Sequence, residues 1–285
     1  NLIVTVTKAA ACAGRIETVL KRQPSMAEAA SPTAANADGA GEVRFQSVSM
    51  RYQGAGGDSL TGISFTARRG QTVGVIGGTG SGKSTLVNLI PRFYDADQGQ
   101  VLVGGVDVRE QPLEALREKI AVVPQKAVLF HGTIRENLLW GKRNATDAEL
   151  WAALETAQAA EVVRGKALGL DEPIEQGGRN LSGGQRQRLT IARALVKQPE
   201  ILILDDSASA LDYATDAALR KALREMASPA TVFVVSQRAS SIRFADLILV
   251  LDDGRLVGSG THDELLQGCP VYQEIYYSQY PKEVA

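Results

Sequence analysis

Cysteine is scarce in this chain: only Cys12 and Cys269 occur, far apart and without the spacing of metal ligands. That excludes a disulfide framework and a zinc site as organising features, and it fits a reducing cytosol. An excess of charge is also missing. With a formal net charge of −1, the chain has no sequence-independent pull toward nucleic acid or anionic lipid, so any phosphate binding must be local. No stretch approaches the ~20 consecutive apolar residues that a membrane-spanning helix needs. An initiating methionine is absent too, since Asn1 comes first, and a piece of a longer chain is the expectation. At 285 residues there is enough chain for a substantial core, either one large domain or a domain with appendages.

The stretch that organises the rest is VGVIGGTGSGKST, Val73 to Thr85. An apolar β-type run of Val73, Val75 and Ile76 feeds a loop containing Gly77, Gly78, Gly80 and Gly82, followed by Lys83, Ser84 and an apolar helical run. This is the G-x-x-x-x-G-K-S phosphate loop. Its glycines let successive backbone N–H groups curl round phosphates and accept angles that a side chain forbids. Lys83 is placed to reach the β- and γ-phosphates of a nucleotide and Ser84 to offer a hydroxyl to Mg²⁺, while the following helix points its positive end at the anion. A plain Gly-rich turn is the alternative, but it leaves the coincidence of strand, loop, lysine and helix unexplained.

Ahead of the loop, Leu2, Val6, Ala9, Ala13, Ile16 and Leu20 recur at helical spacing, so residues 1–22 are expected to form an amphipathic helix. Residues 23–41 are rich in Ala, Ser, Pro, Asp and Gly and read as a mobile linker. From Glu42 the pattern turns globular: alternation in EVRFQSVSMRY, then Ile63–Thr66 and Gln71–Ile76, predicts three strands. Tyr52 sits in a polar turn between them, either incidental or a platform for a purine ring. GQVLVGGVDV predicts two short strands, PLEALREKI a helix from Pro112, and Ile120–Val123 a strand ending before Gln125. From about 126 to 197 successive helical patterns suggest an inserted helical subdomain, with Thr133 and Asp147 as N-caps. The run Ile201–Leu204 reads as a central parallel strand, and Asp205 at its C-terminal end stands where open α/β sheets bind ligands, the expected Mg²⁺ partner. TVFVVS and LILVLDDGRLV add strands, and helices at about 261–280 close the chain.

LSGGQ, Leu181 to Gln185, followed by RQRLTIARAL, resembles the signature of ATP-binding cassette (ABC) proteins. The resemblance covers about Glu42 to Tyr280 and rests on several motifs in order. Tyr52 stands at the adenine-stacking position. Gly77, Gly78, Thr79, Gly80, Ser81, Gly82, Lys83, Ser84 and Thr85 make up Walker A, and Gln125 is the Q-loop glutamine. ILILD supplies Walker B and Ser209–Asp212 the D-loop. The implied fold is α/β: a P-loop NTPase (RecA-like) core with an antiparallel β subdomain and an inserted α-helical subdomain. The implied cofactors are ATP and Mg²⁺, the metal held by Ser84, Asp205 and Gln125. TIRENLLWG and THDELL are most similar to the exporter branch, in which a membrane domain precedes the nucleotide domain. The leader helix then resembles the cytosolic end of the last membrane helix, and the domain sits at the cytoplasmic face of the cell membrane. In that family two domains pair head to tail, so Leu181, Ser182, Gly183, Gly184, Gln185 and Asp212 are expected at the partner's ATP.

Two positions depart from the family pattern. After Asp205 the family places a glutamate, and here it is Asp206, one methylene shorter; a general base must lie within ~3 Å of the proton it takes, directly or through one water. Where exporters place a histidine after the strand, this chain has Gln237, which donates a hydrogen bond but cannot become a cation. A softer departure is Gln176, at a usually acidic position. With the ATP-gripping Lys83, Ser84 and Asp205 intact, the expectation is the degenerate half of a heterodimeric exporter, slow at its own site and completing the partner's. One alternative is an ordinary homodimeric exporter ATPase. A soluble, nucleic-acid-linked ABC protein is the other, and it predicts basic arms, a coiled-coil insertion or a second cassette, none of which is present in the chain.

Overall fold

The computed structural model describes residues 2–22, 26, 29, 31–33, 39–226 and 230–280. In chain order the elements are α1 (Leu2–Leu20), β1 (Val43–Met50), β2 (Leu60–Ala67), β3 (Thr72–Gly77), α2 (Lys83–Leu89), β4 (Gln98–Val103), β5 (Val106–Asp107), α3 (Leu113–Glu118) and β6 (Ile120–Val123). A helical stretch follows, with β7 (Gly132–Thr133), α4 (Ile134–Leu139), α5 (Asp147–Thr156), α6 (Ala160–Arg164), β8 (Pro173–Ile174) and α7 (Gly183–Val196). The chain then returns to the sheet through β9 (Ile201–Asp205), α8 (Tyr213–Arg224), β10 (Thr231–Val235), α9 (Ala239–Ile242), β11 (Leu247–Asp252) and β12 (Arg255–Gly260), and closes with α10 (His262–Gly268) and α11 (Pro270–Gln279).

Two main sheets result. One is antiparallel, in the order β2-β1-β4-β5. The other runs β12-β11-β3-β10-β9-β6 and is parallel except for its edge strand β12. Because side chains alternate along a strand, the parallel sheet serves two cores at once. Ile201, Ile203, Val73 and Val75 face the antiparallel sheet and share a core with Leu86, Val87 and Leu89 of α2 and with Ile90 just past its end. Leu202, Leu204, Val232 and Val234 face the other way, against Leu189, Ile191 and Leu195 of α7. Burying each such aliphatic side chain contributes about 1.5–3 kcal/mol. The continuous apolar run 201–204 is therefore explained by burial on both faces, as parallel strands require.

Helix starts in the helical stretch are set by reciprocal caps. Thr133 caps α4 and pairs with Glu136, as its position predicted. Asp147, expected as a cap, is instead the first residue inside α5: the Thr146 hydroxyl accepts from the Glu149 amide while the Glu149 side chain accepts from the Thr146 amide. T-x-x-E beats a lone Asp because it satisfies two orphan donors rather than one.

None of the described residues of α1 is buried, and its apolar stripe, Leu2, Val6, Ile16 and Leu20 among it, is exposed. Among the described residues no helix is long and apolar enough to cross a membrane. The expected linker, 23–41, lies largely outside the described residues; within it, the Thr33 amide donates to the Glu110 carbonyl at 2.8 Å.

Candidate functional site

The glycine loop is tightly wedged. Gly77 ends β3 beside Leu251 of β11, so close that a Cβ there would lie 2.1 Å from the Leu251 carbonyl oxygen. Gly82, at φ +96°, turns the chain into α2, and a Cβ on it would meet the Ser59 carbonyl oxygen at 2.7 Å. The loop thus has both the left-handed backbone and the close approaches that only glycine supplies. Above it opens a cleft of about 440 Å³.

Eleven of the residues singled out in the sequence line this cleft: Tyr52, Thr79, Gly80, Gly82, Lys83, Ser84, Thr85, Gln125, Asp205, Asp206 and Gln237. Lys83 is buried and donates from Nζ to the carbonyls of Gly77 at 2.9 Å and Gly78 at 2.6 Å, with the Ser81 hydroxyl at 3.4 Å. Gly77, Gly78 and Ser81 therefore act as the seat of the lysine. Burial lowers the Lys83 pKa from its ordinary value, against the pull of the Asp206 and Asp205 charges. Ser84 donates from its hydroxyl to Asp205 Oδ1 at 3.1 Å. Burial pushes the Asp205 carboxyl up; the Ser84 hydrogen bond opposes this, the Asp206 charge adds to it and Lys83 opposes it.

Across the cleft, Gln125 Nε2 donates to Asp206 Oδ2 at 3.0 Å. The Asp206 amide donates to the Val235 carbonyl at 2.9 Å, and the residue adopts φ +48°, a left-handed conformation that short polar side chains such as Asp accept more readily than most. Tyr52 stands at the rim, its hydroxyl 3.1 Å from that of Thr85 and its ring edge-on to Tyr94, with centroids 5.0 Å apart.

The signature residues sit elsewhere. Ser182 caps α7, its hydroxyl accepting from the Gln185 amide at 3.2 Å while the Gln185 side chain accepts from the Ser182 amide at 3.0 Å. Leu181 is buried just ahead of this cap, and Gly183 and Gly184 form the first turn of α7. Asp212 caps α8, accepting from the Thr215 amide at 2.9 Å and the Thr215 hydroxyl at 2.8 Å, hydrogen bonds that hold its carboxyl below the usual range. None of these six residues lines this chain's own cleft. Gln176 is exposed in a 3-10 turn.

Three residues of the cleft wall escaped the sequence reading: Ser59, Val235 and Ser236. The TVFVVS run held a signal for Val235 and Ser236, which end a strand beside the glycine loop. Ser59 carried none, because it arrives through the fold of the β1–β2 turn onto Gly82. A second cavity of about 220 Å³, between the sheet and α8, is lined by aliphatic side chains such as Leu219 and Leu223 together with Asp216, Arg220 and Arg224, and contains nothing of the glycine loop.

A glycine loop joining a parallel strand to a helix, a buried lysine seated in it and a carboxylate on a strand one removed in the same sheet define a P-loop NTPase. The chain belongs to the ABC transporter family, whose description matches residues 60–209, and is a nucleotide-binding domain of that family. It is 44% identical over 280 residues to an uncharacterized ABC transporter ATP-binding protein of Mycobacterium bovis, covering 97% of this chain and 48% of that protein. Over 240 residues it is 46% identical to a beta-(1→2)glucan export ATP-binding/permease protein of Rhodopseudomonas palustris, covering 84% of this chain and 40% of that protein. Among solved structures it resembles a bacterial Atm1-family ABC exporter with ATP bound, with a TM-score of 0.89 and 34% identity, over 98% of this chain and 49% of that one. The chain spans about half the length of the curated relatives it matches.

Proposed function

We propose that this chain is the ATP-binding half of a heterodimeric exporter, holding ATP at its own cleft while hydrolysing it slowly. One observation carries the reading: Lys83, Ser84 and Asp205 share a cleft with Asp206 and Gln237, so the gripping groups are complete while both departures fall on the groups that act on the attacking water and the γ-phosphate. Residues 42–285 form the nucleotide-binding domain in this reading, with 126–197 as its helical subdomain. Residues 1–22 and 23–41 then lead from a membrane domain of the same chain, which places the domain at the cytoplasmic face of the membrane.

Lys83 exchanges neutral carbonyl acceptors for charged phosphate oxygens, which make stronger hydrogen bonds. The donors that would hold Mg²⁺ are a hydroxyl, a carboxylate and an amide, from Ser84, Asp205 and Gln125. These are the oxygen ligands the ion prefers, and the first two already lie 3.1 Å apart, so the residues fit it. Held by Ser84, Asp205 and Gln125, the ion would supply positive charge against the charge that develops on the phosphates. Tyr52 offers its ring to the adenine. Asp206 takes the proton of the attacking water with a side chain one methylene short, and Gln237 donates to the γ-phosphate as a neutral group. Ser182, Gly183 and Gly184 bring the positive end of α7 to the partner's γ-phosphate, flanked by Leu181, Gln185 and Asp212. Closure of the pair around ATP drives the membrane domains.

The test is steady-state Mg-ATP hydrolysis at concentrations that pair the chain with itself, beside the double variant Asp206→Glu, Gln237→His. The variant is expected to be faster by on the order of 10- to 100-fold, within the span of general acid–base effects. Equal and substantial rates would sink the slow-site reading and leave an ordinary homodimeric exporter ATPase.

A further inference from the structure

Gln237 reaches the cleft from the short loop Ser236–Arg238 between β10 and α9, and the loop must be held for that side chain to be useful. At its start, the Ser236 amide donates to the Val75 carbonyl of β3 at 3.1 Å, tying it to the strand that feeds the glycine loop. At its other end the Arg238 amide donates to the Ser236 hydroxyl at 3.0 Å, which closes the loop on itself but leaves the start of α9 to be capped. α9 begins at Ala239, and its N-cap residue, Arg238, contributes no side-chain cap, since a guanidinium has no acceptor to offer the first amides of the helix.

The missing acceptor comes from the far end of the chain. Gln279, the last residue of α11, accepts from the Ala239 amide at Oε1 (2.9 Å) and donates from Nε2 to the Gln237 carbonyl (2.7 Å). The orientation of this amide is fixed by its partners, because a backbone N–H only donates and a carbonyl only accepts. One side chain thus caps α9 and grips the backbone of Gln237, a residue of the cleft wall. We infer that Gln279 is a positioning residue for Gln237: a two-point clamp by which the C-terminal helix sets the loop that meets the γ-phosphate.

This rests on the nucleotide-site reading above, and two readouts keep the two apart. Amide exchange over 236–243 reports the clamp without any nucleotide; single-turnover ATP hydrolysis and the ATP Kd report its consequence. Gln279→Leu, of similar size but without either hydrogen bond, is expected to speed exchange at Ala239 and to lower the hydrolysis rate about 3- to 10-fold, as the loss of one or two net hydrogen bonds implies. The Kd should stay within about twofold, since uniform binding is untouched. Gln279→Glu keeps the acceptor but turns a carboxylate oxygen toward the Gln237 carbonyl; protonation restores the donor. Its faster amide exchange over 236–243 relative to the parent should therefore shrink as pH falls from 6 toward 4, through the ordinary glutamate value of about 4.3, a dependence no packing role predicts. Unchanged exchange and rate in Gln279→Leu, or an exchange difference in Gln279→Glu that ignores pH between 6 and 4, overturns the clamp. A parent that binds no ATP overturns the nucleotide reading instead, while exchange at Ala239 still decides the clamp.

Discussion

At the scale of single residues, Asp205 is held against its own solvation. Burial, the largest influence, raises its pKa above the ordinary carboxylate value. A carboxyl whose folded pKa lies above its unfolded one binds its proton more tightly when folded. The penalty for its charge is thus absent below the unfolded value of about 3.9 and present in full above the folded one. Asp205→Asn is expected to raise the Tm at pH 7 in the absence of nucleotide, with the gain fading in melts at pH 4. The same variant should lose Mg²⁺-dependent ATP affinity, as expected where a site sacrifices stability for function. A Tm difference that grows on acidification would contradict this account. The residue identities of the cleft were legible because the motif is contiguous through Lys83 and Ser84. Gln279 was not, since nothing in YYSQ marks one amide among exposed neighbours as a partner of a loop some forty residues earlier.

At the scale of elements, the glycine loop is fixed as much by its neighbour strand as by its own turns. Adding a methyl at Gly77 drives it into a backbone carbonyl of β11, which cannot turn aside as a side chain can. Gly77→Ala is therefore expected to cost about 3 kcal/mol, at the upper end of overpacking penalties. Gly78→Ala, whose Cβ would meet nothing within 4 Å, should leave stability near that of the parent. Urea midpoints at unchanged m-value check the pair. The same scale shows why Asp147 misleads as a cap: the start of α5 is decided by a reciprocal pair three residues apart, Thr146 and Glu149, and not by one residue's preference. The S-x-x-Q of LSGGQ is the same device at α7, legible in the sequence beneath its resemblance to a signature.

At the scale of the whole molecule, the proposal divides labour between two sites. Ser182 would serve the partner's ATP, and Asp206 this chain's own. In the assembled pair, Ser182→Ala is expected to lower hydrolysis more than Asp206→Asn does. The lost helix cap, worth about 1 kcal/mol, is too small to explain such a loss by unfolding. Comparing the rates of the two assembled variants checks it, and the reverse order would place turnover in this chain's cleft.

Taken alone, the sequence determined the α/β class, the strand–loop–helix of the phosphate site, the double-sided burial of 201–204 and the identity of the two departing residues. Each of these is local, encoded in spacing and alternation within one window. Only the tertiary structure decided that Gly77 is pinned by β11, that Ser59 closes over Gly82, and that Gln279 holds the loop of Gln237. Those contacts join segments far apart in the chain, and their geometry depends on how sheets and helices pack, which no local pattern carries.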